Sequence, residues 1–192
     1  MNQWPMVRLG TLLRQADRFE TKDASQTYRF AGTYSFARGI FVGAEKHGSS
    51  FALGKLQRIR AGDFIYCKIM AWEGAFGLAP QEVDGCVMSG AFVVYEVLDH
   101  LVRPEYLDYY FKQQDVWKRI GSQSTGTNVR RKSLHPQQFE SATIPLPPMS
   151  EQDRIVAILN RINELKVAQQ EILSDIELLQ AASLNRAFRG EL

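Results

Sequence analysis

Residues 144–156, which read IPLPPMSEQDRIV, mark the place where the chain changes from one kind of structure to another. The segment 144–149 holds three prolines in four positions, and proline neither continues a helix nor donates to a sheet ladder. We therefore predict a stiff, extended hinge over 144–149. Ser150 is a favourable N-cap, and the acid Asp153 suits the positive end of a helix. The sequence thus predicts one domain over 1–149 and a helix over 150–192.

The predicted helix carries a coiled-coil pattern. No glycine or proline interrupts it before Gly190, which gives about 40 residues and a length of about 60 Å. Its apolar positions recur in alternating steps of three and four. These seam residues are Ile155, Ile158, Ile162, Leu165, Gln169, Ile172, Ile176 and Leu179. A helix of this length extends beyond a domain of about 150 residues, so we expect the seam to pair with another helix; packing on its own domain is the alternative.

The first 149 residues have the pattern of an α+β domain. Segments rich in aromatic and β-branched residues predict strands at 27–30, 39–42, 64–70 and 91–97. One helix is predicted from Pro104 to Ile120 and ends at Gly121. Its apolar face, which we expect to belong to the core, consists of Leu107, Tyr110, Phe111, Trp117 and Ile120.

Positive charge is distributed unevenly although the net charge is only +2. Residues 1–149 hold 18 basic and 14 acidic side chains, whereas residues 150–192 hold 5 and 7. Between 46 and 68 five cations accompany the single acid Asp63; they are Lys46, Lys55, Arg58, Arg60 and Lys68. Clustered cations favour a polyanionic partner, with a solvated charged face as the alternative.

A second basic segment, residues 121–132, reads GSQSTGTNVRRK and contains no acid. Small residues allow a close approach to phosphates, arginine makes bidentate contacts with phosphate or guanine, and asparagine suits adenine. A flexible surface loop is the alternative. The candidate DNA contacts here are Thr125, Gly126, Thr127, Asn128, Arg130, Arg131 and Lys132. Lys55, Arg58, Arg60 and Lys68 are the second group of candidates.

Signs of catalysis and of metal binding are missing from the sequence. We find no Walker A, GxGxxG, HExxH or GxSxG motif and no acids grouped for a metal. The two cysteines, Cys67 and Cys86, form no CxxC pair, so we expect buried thiols in a reducing compartment. No signal peptide or membrane-spanning run is present. We expect a cytoplasmic binding protein that is not an enzyme and has no cofactor.

At the hinge and the long helix, and over most of its length, the chain resembles type I restriction–modification specificity (S) subunits. In that family a Pro-Leu-Pro-Pro run and a Glu-Gln pair close a target recognition domain and begin a conserved helix, as 145–148 and 151–152 would here. Further similar segments are the ending AFRGEL at 187–192, Gly62–Ile65 with Lys68, the helix 104–120, Gly126–Asn128 leading to Arg130, and the start at 4–10.

The resemblance implies a mixed-sheet DNA target recognition domain over 1–149 and a spacer helix over 150–192. It also implies double-stranded DNA and DNA methyltransferase subunits as partners, together with restriction subunits in some systems. S-adenosylmethionine chemistry would belong to the methyltransferase subunits. Family members usually carry two recognition domains, whereas this chain holds one. A half-subunit would restore the arrangement as a homodimer with antiparallel helices.

Other interpretations remain open at the level of sequence. The chain is either a natural half-subunit or a piece of a longer one, including the specificity portion of a single-chain restriction enzyme. A coiled-coil scaffold that binds no DNA is the alternative from another functional class. It would share the hinge and the heptads but leave the acid-free basic loop unexplained.

Overall fold

Three β-sheets and three short helices form the first part of the protein, as seen in a computed structural model that describes residues 4–126 and 132–190. Contacts divide the chain into two units, Met1–Asp153 and Arg154–Leu192. The strands of the first unit are β1 (Met6–Arg8), β2 (Leu13–Gln15), β3 (Phe19–Thr21), β4 (Thr27–Thr33), β5 (Ile40–His47), β6 (Lys55–Arg58), β7 (Phe64–Cys67), β8 (Phe76–Leu78), β9 (Val87–Met88), β10 (Phe92–Val97) and β11 (Thr143–Pro145). The helices are α1 (Pro104–Phe111), α2 (Gln114–Gly121), α3 (Pro136–Ser141) and α4 (Met149–Phe188).

One of the three sheets is mixed and the other two are antiparallel, and together with the helices they confirm the predicted α+β class. Strand order is β2-β10-β7-β8 in one sheet and β3-β6-β9-β4-β5 in another, while β1 pairs with β11. The pair β4–β9 is parallel and the other pairs among the described strands are antiparallel. All four predicted strands exist with altered ends. Strand β7 stops at Cys67 because the Met70 N–H turns back and donates to the Cys67 carbonyl at 3.1 Å.

The prediction of a single helix over 104–120 is wrong, because the structure has two helices there. Helix α1 ends at Phe111, and Gln113 is extended at φ −72° and ψ 126° before α2 begins. Neither glycine nor proline marks this break. The interruption lets both apolar faces reach the core: Leu107 and Phe111 from α1 are buried, as are Trp117 and Ile120 from α2.

An aromatic cluster around Phe139 forms the centre of this core. The Phe139 ring, carried by α3, is fully buried. It contacts rings from three strands and from α1, with centroid distances of 4.7 Å to Tyr66, 5.3 Å to Tyr95, 5.9 Å to Phe111, 6.0 Å to Phe76 and 6.1 Å to Phe64. Burial raises the pKa of both the Tyr66 and the Tyr95 hydroxyl. The cluster therefore joins the four-stranded sheet to the helices.

The predicted hinge is partly a strand. Residues 143–145 form β11, in which Pro145 lies opposite Met6, and the Leu146 N–H donates to the Pro5 carbonyl at 2.9 Å. Proline is tolerated here because β11 pairs with β1 alone, in a two-stranded sheet. The N-terminal strand thus holds the segment that precedes α4.

Helix α4 begins one residue before the predicted start, at Met149. The Pro148 carbonyl accepts the N–H groups of Glu151 and Gln152, so Ser150 lies inside the helix and is not its N-cap. Asp153 also differs from the expectation, because it pairs with Arg103, Nε to Oδ1 at 2.5 Å. This hydrogen bond lowers the pKa of the Asp153 carboxyl.

Gln152 is the buried polar residue at the start of α4, with 1% of its surface exposed. Its Oε1 accepts the Arg103 N–H at 2.7 Å, and its Nε2 donates to the carbonyls of Pro147 at 2.9 Å and Leu101 at 3.3 Å. One side chain therefore satisfies three backbone groups and attaches the first turn of α4 to the loop before α1.

The second unit consists of α4 from Arg154 onward, and its predicted seam is largely open to solvent. Ile155 is half-buried, whereas Ile158, Ile162, Leu165, Gln169, Ile172, Ile176 and Leu179 are exposed. The exposed fractions rise from 41% at Ile162 to 68% at Leu179. An apolar stripe of this length has no covering partner in a single copy of the described chain. Pairing with a second helix is still a prediction.

Replacing Gln152 with alanine should destabilise the first unit by about 2–4 kcal/mol, because buried backbone groups lose their partners. Urea unfolding followed by tryptophan fluorescence measures this, since Trp4, Trp72 and Trp117 all lie in that unit. Asp153→Asn is the control: it removes an exposed ion pair, so the unfolding free energy should stay close to that of the unmodified chain. Equal effects of the two substitutions would contradict the role assigned to Gln152.

Candidate nucleic-acid interface

The basic loop, residues 125–133, is closed at its base by a pair of backbone hydrogen bonds. The Thr125 N–H donates to the Ser133 carbonyl at 3.1 Å, and the Ser133 N–H donates to the Thr125 carbonyl at 2.9 Å. Thr125 and Gly126 are exposed and Lys132 is half-exposed. The other predicted contacts, Thr127, Asn128, Arg130 and Arg131, lie outside the described residues. The structure therefore describes the base of the loop but not its tip.

Helix α2 anchors the loop on its N-terminal side. A Cβ added at Gly121, the last helical residue, would lie 2.4 Å from the Ala71 carbonyl oxygen and 2.8 Å from the Trp72 Cα. Only glycine permits this approach of two backbones. Ile120 and Trp117 are buried beside it. The position at which the chain leaves α2 is therefore set by direct backbone packing.

Lys68 lies at the C-terminal side of the same loop. Its carbonyl accepts the Leu134 N–H at 2.9 Å, and the Tyr66 hydroxyl donates to the Leu134 carbonyl at 3.2 Å. Leu134 is fully buried. The structure thus brings Lys68, from the second group of candidates, beside Lys132 from the first.

The remaining candidates do not join this group. Arg58 is held by Glu20, with Nη2 2.6 Å from Oε1, and its Nη1 donates to the Gly85 carbonyl at 2.7 Å. Its charge is therefore largely neutralised within the fold. Lys55 is exposed at the start of the same strand. Within 4–126 and 132–190, Lys55 forms no ion pair, so its ammonium group is available to a partner.

Arg60 lies at the opposite end of β7 from Lys68, in mixed charge surroundings. It lines a shallow pocket with Arg18, Asp63, Glu96 and Asp99. The Asp63 carboxylate accepts the Arg60 N–H at 2.7 Å and pairs with the Arg18 guanidinium. Burial raises the pKa of Asp63, although both of these contacts oppose the shift. Asp63 therefore stabilises the turn before β7, and its surroundings make Arg60 a weaker candidate for contact with a polyanion.

Two residues beside the loop were not among the predicted contacts. Lys118 is exposed on α2, with its Nζ 5.8 Å from the Trp117 ring centroid. Ser124 is 9% exposed, and its hydroxyl has no hydrogen-bond partner in the described part of the chain. Helical periodicity would have placed Lys118 on the polar face of α2. No sequence signal indicates the burial of Ser124.

The described residues contain no group of three or more histidine, cysteine, aspartate or glutamate side chains that would suit a metal ion. Cys67 and Cys86 are buried free thiols, as predicted, and burial raises the pKa of Cys67. No helix in the described part of the chain is both long and apolar enough to cross a bilayer.

The described residues thus form an α+β domain that carries the base of a basic loop and precedes a long helix, and comparison with known proteins gives the class of protein to which it belongs. The family described as "Type I restriction modification DNA specificity domain" matches residues 1–178. The chain therefore belongs to the family of type I restriction–modification specificity subunits. Specificity subunits are non-catalytic, in agreement with the expectation that this chain is not an enzyme.

Individual relatives support the same assignment. The specificity subunit of the type I restriction enzyme HindI from Haemophilus influenzae is 22% identical over 186 residues, which span 95% of this chain and 40% of that protein. The crystal structure of the HsdS subunit from Thermoanaerobacter tengcongensis matches with a TM-score of 0.64 and 26% identity, over 92% of this chain and 47% of that one. A solved structure that describes the complex assembly and conformational transition of the type I R-M system matches with a TM-score of 0.62 and 25% identity, over 96% of this chain and 49% of that one.

The chain thus spans about half the length of the relatives that it matches. The S subunit from M. genitalium, at 14% identity and a TM-score of 0.55, supports the fold.

We predict that Gly121→Ala lowers the free energy of unfolding by about 1–3 kcal/mol, because the new methyl group has no space against the backbone of 71–72. The substitution should also weaken DNA binding, since the base of the basic loop must move. Gly90→Ala is the matched control, because a Cβ at Gly90 meets open space. Urea unfolding and a gel-shift assay measure both effects; a Gly121→Ala protein as stable as the control would show that the contact is not tight.

Proposed function

We propose that this chain reads one half of a bipartite DNA target and delivers that specificity to methyltransferase subunits. Residues 1–149, including the hinge 144–149, form the target recognition domain, and residues 150–192 form the spacer helix. The observation that carries the proposal is the acid-free basic loop on a defined base, within a chain of the specificity family. Such a protein acts in the cytoplasm, together with the DNA of its host.

The basic loop supplies the main contacts in this proposal. Arg130, Arg131 and Asn128 have the donors that read base edges, while Thr125, Gly126, Thr127 and Lys132 suit phosphates. Lys68 extends the positive surface, because the Leu134 N–H connects its backbone to the loop. Lys55 is a peripheral phosphate contact. Arg58 and Arg60 contribute less, since Glu20 pairs with Arg58 and the pocket beside Arg60 contains carboxylates.

The exposed seam of α4 supplies the second part of the proposal, a homodimer. Two antiparallel copies would cover each other's seam from Ile155 to Leu179 and hold two recognition domains at opposite ends. Gln169 sets the register, as a polar residue at a core position does in coiled coils. This arrangement restores the two-domain length of the relatives and prescribes a fixed spacing between half-sites. The same assembly docks methyltransferase subunits and, where a system has them, restriction subunits.

Selection of randomised DNA duplexes by the chain, alone and mixed with its methyltransferase subunit, tests the proposal. We expect a palindrome in two parts separated by a non-specific spacer, because a two-fold dimer presents the same domain to each half. Sequencing of the retained duplexes gives target and spacer together. Recovery of an asymmetric target would contradict the symmetric dimer. A single half-site would indicate that a second recognition domain lies elsewhere in a longer protein.

Substitution of Arg130 and Arg131 by glutamine tests the loop. An arginine that reads a base should cost about 1–3 kcal/mol of binding and relax the sequence preference, whereas a phosphate contact should weaken all sequences and lower the salt slope by about one. Arg161→Gln in the second unit is the control for each single substitution, with the same change of one charge. Unchanged affinity after replacement of both arginines would remove the loop from the site. Retention on a heparin column that is lost at high salt would distinguish a DNA-binding protein from a scaffold that binds no DNA.

Glutamate at both Ile162 and Ile172 should dissociate the dimer, because charge on the seam opposes helix pairing. Light scattering should report the mass of one chain instead of two. The matched control places glutamate at Val167 and Leu178, which are 54% and 66% exposed but lie on the other side of α4. If both double variants kept the dimeric mass, the seam would not be the interface.

A further inference from the structure

The turn between β4 and β5, residues 34–39, has an unusual backbone; we name it the aromatic turn. Phe36 and Ala37 both lie in the left-handed region, at φ 63° and φ 51°, and they are the two non-glycine residues of the described chain that do so. Side chains other than that of glycine are disfavoured there, and such strain persists only where surrounding contacts impose it. The aromatic turn is therefore held in place by the rest of the fold.

Backbone hydrogen bonds to the segment after β7 impose this conformation. The Phe36 N–H donates to the Glu73 carbonyl at 2.8 Å, and the Ala37 N–H donates to the Gly74 carbonyl at 2.7 Å. Ala37 is buried, yet Phe36 is 61% exposed. The strain thus does not serve to bury the phenyl ring. It presents a large apolar side chain to solvent on a fixed backbone.

The aromatic turn adjoins the elements that carry the basic loop. The Phe36 ring meets the Trp117 ring edge-on, with 6.0 Å between centroids. Trp117 belongs to α2, which leads directly into the loop. The segment whose carbonyls accept these hydrogen bonds begins at Lys68, and its side chains Ile69 and Met70 are 52% and 37% exposed. Exposed apolar side chains therefore lie both on the aromatic turn and on the segment that bonds to it.

Cations accompany the rings at and beside this turn. The Arg38 guanidinium lies 5.2 Å from the centroid of the Tyr34 ring, and Lys118 lies over Trp117. In residues 4–126 and 132–190 neither cation forms an ion pair. The nearby Glu73 carboxylate already accepts the Ser35 hydroxyl at 3.0 Å. Apolar rings flanked by unpaired cations complement stacked bases between phosphates better than they complement an apolar protein surface.

We infer that the aromatic turn is a second DNA-contacting element, in which Phe36 packs against a base step and Arg38 and Lys118 bind the adjacent phosphates. This inference rests on the proposed function and extends it to a part of the chain outside the basic loop. A preformed turn loses little conformational freedom on binding, so little of the contact free energy is offset by ordering it. The contact unstacks or bends the duplex at one step, and sequences that deform easily there are preferred.

Phe36→Gly tests the inference, with the duplex recovered by selection as the probe. Glycine suits the backbone of the turn but removes the ring, so the fold should persist while affinity falls by about 5- to 150-fold. The salt slope should not change, because no charge is lost. Ala37→Gly is the matched control: it relieves the same kind of strain, retains the ring and should bind as the unmodified chain does. Arg38→Gln should lower the salt slope by about one.

A 2-aminopurine base placed at successive positions in the target reports unstacking directly. Its fluorescence should rise at one step on binding of the unmodified chain and of Ala37→Gly, but not of Phe36→Gly. If Phe36→Gly bound DNA as tightly as the control, the inference would be wrong while the proposed function stood. If it lost only its co-elution with the methyltransferase subunit, the turn would be a protein contact instead. Failure of the unmodified chain to bind any duplex would overturn both.

Discussion

Packing around the Phe139 ring is the interaction on which the recognition domain depends. Phe139 lies C-terminal to the basic loop and contacts rings from β7, β8, β10 and α1. Aromatic rings contribute large buried areas and favour tilted or edge-on contacts. Because α3 is attached to the sheet in this way and α2 is attached through Trp117 and Ile120, both ends of the loop emerge from a rigid frame. A site that contacts DNA benefits from such a frame, since less freedom is lost on binding.

A second set of contacts attaches the first turn of α4 to that frame. Gln152 satisfies three backbone groups, and β1 pairs with β11 immediately before α4. Because these contacts lie before α4 and in its first turn, they define the residue at which the helix begins. The buried amide supplies this definition through hydrogen bonds of fixed direction, which an apolar side chain does not provide.

Much of the architecture could be predicted from the sequence, and the errors have a common cause. The α+β class, the long helix that begins near residue 149 and the free thiols follow from local composition and periodicity. The break at Gln113 does not, since its own neighbours favour helix and only burial of two separate faces explains it. Arg58 looked like a free cation because Glu20, its partner, is distant in sequence. The exposed Phe36 was missed because no pattern in residues 34–39 indicates a left-handed backbone at two consecutive non-glycine positions.

The sequence by itself determined the long helix and its seam, the proline-rich boundary and the acid-free basic loop. Each of these depends on residues a few positions apart, through heptad spacing, fixed proline φ angles or local charge. Only the tertiary structure decided which cations stand together. Lys68 joins the loop through Leu134, Arg60 is separated from it by the length of β7, and the aromatic turn lies beside α2 through Trp117. Contacts between segments remote in sequence arise from the packing of the whole core, which no local pattern encodes.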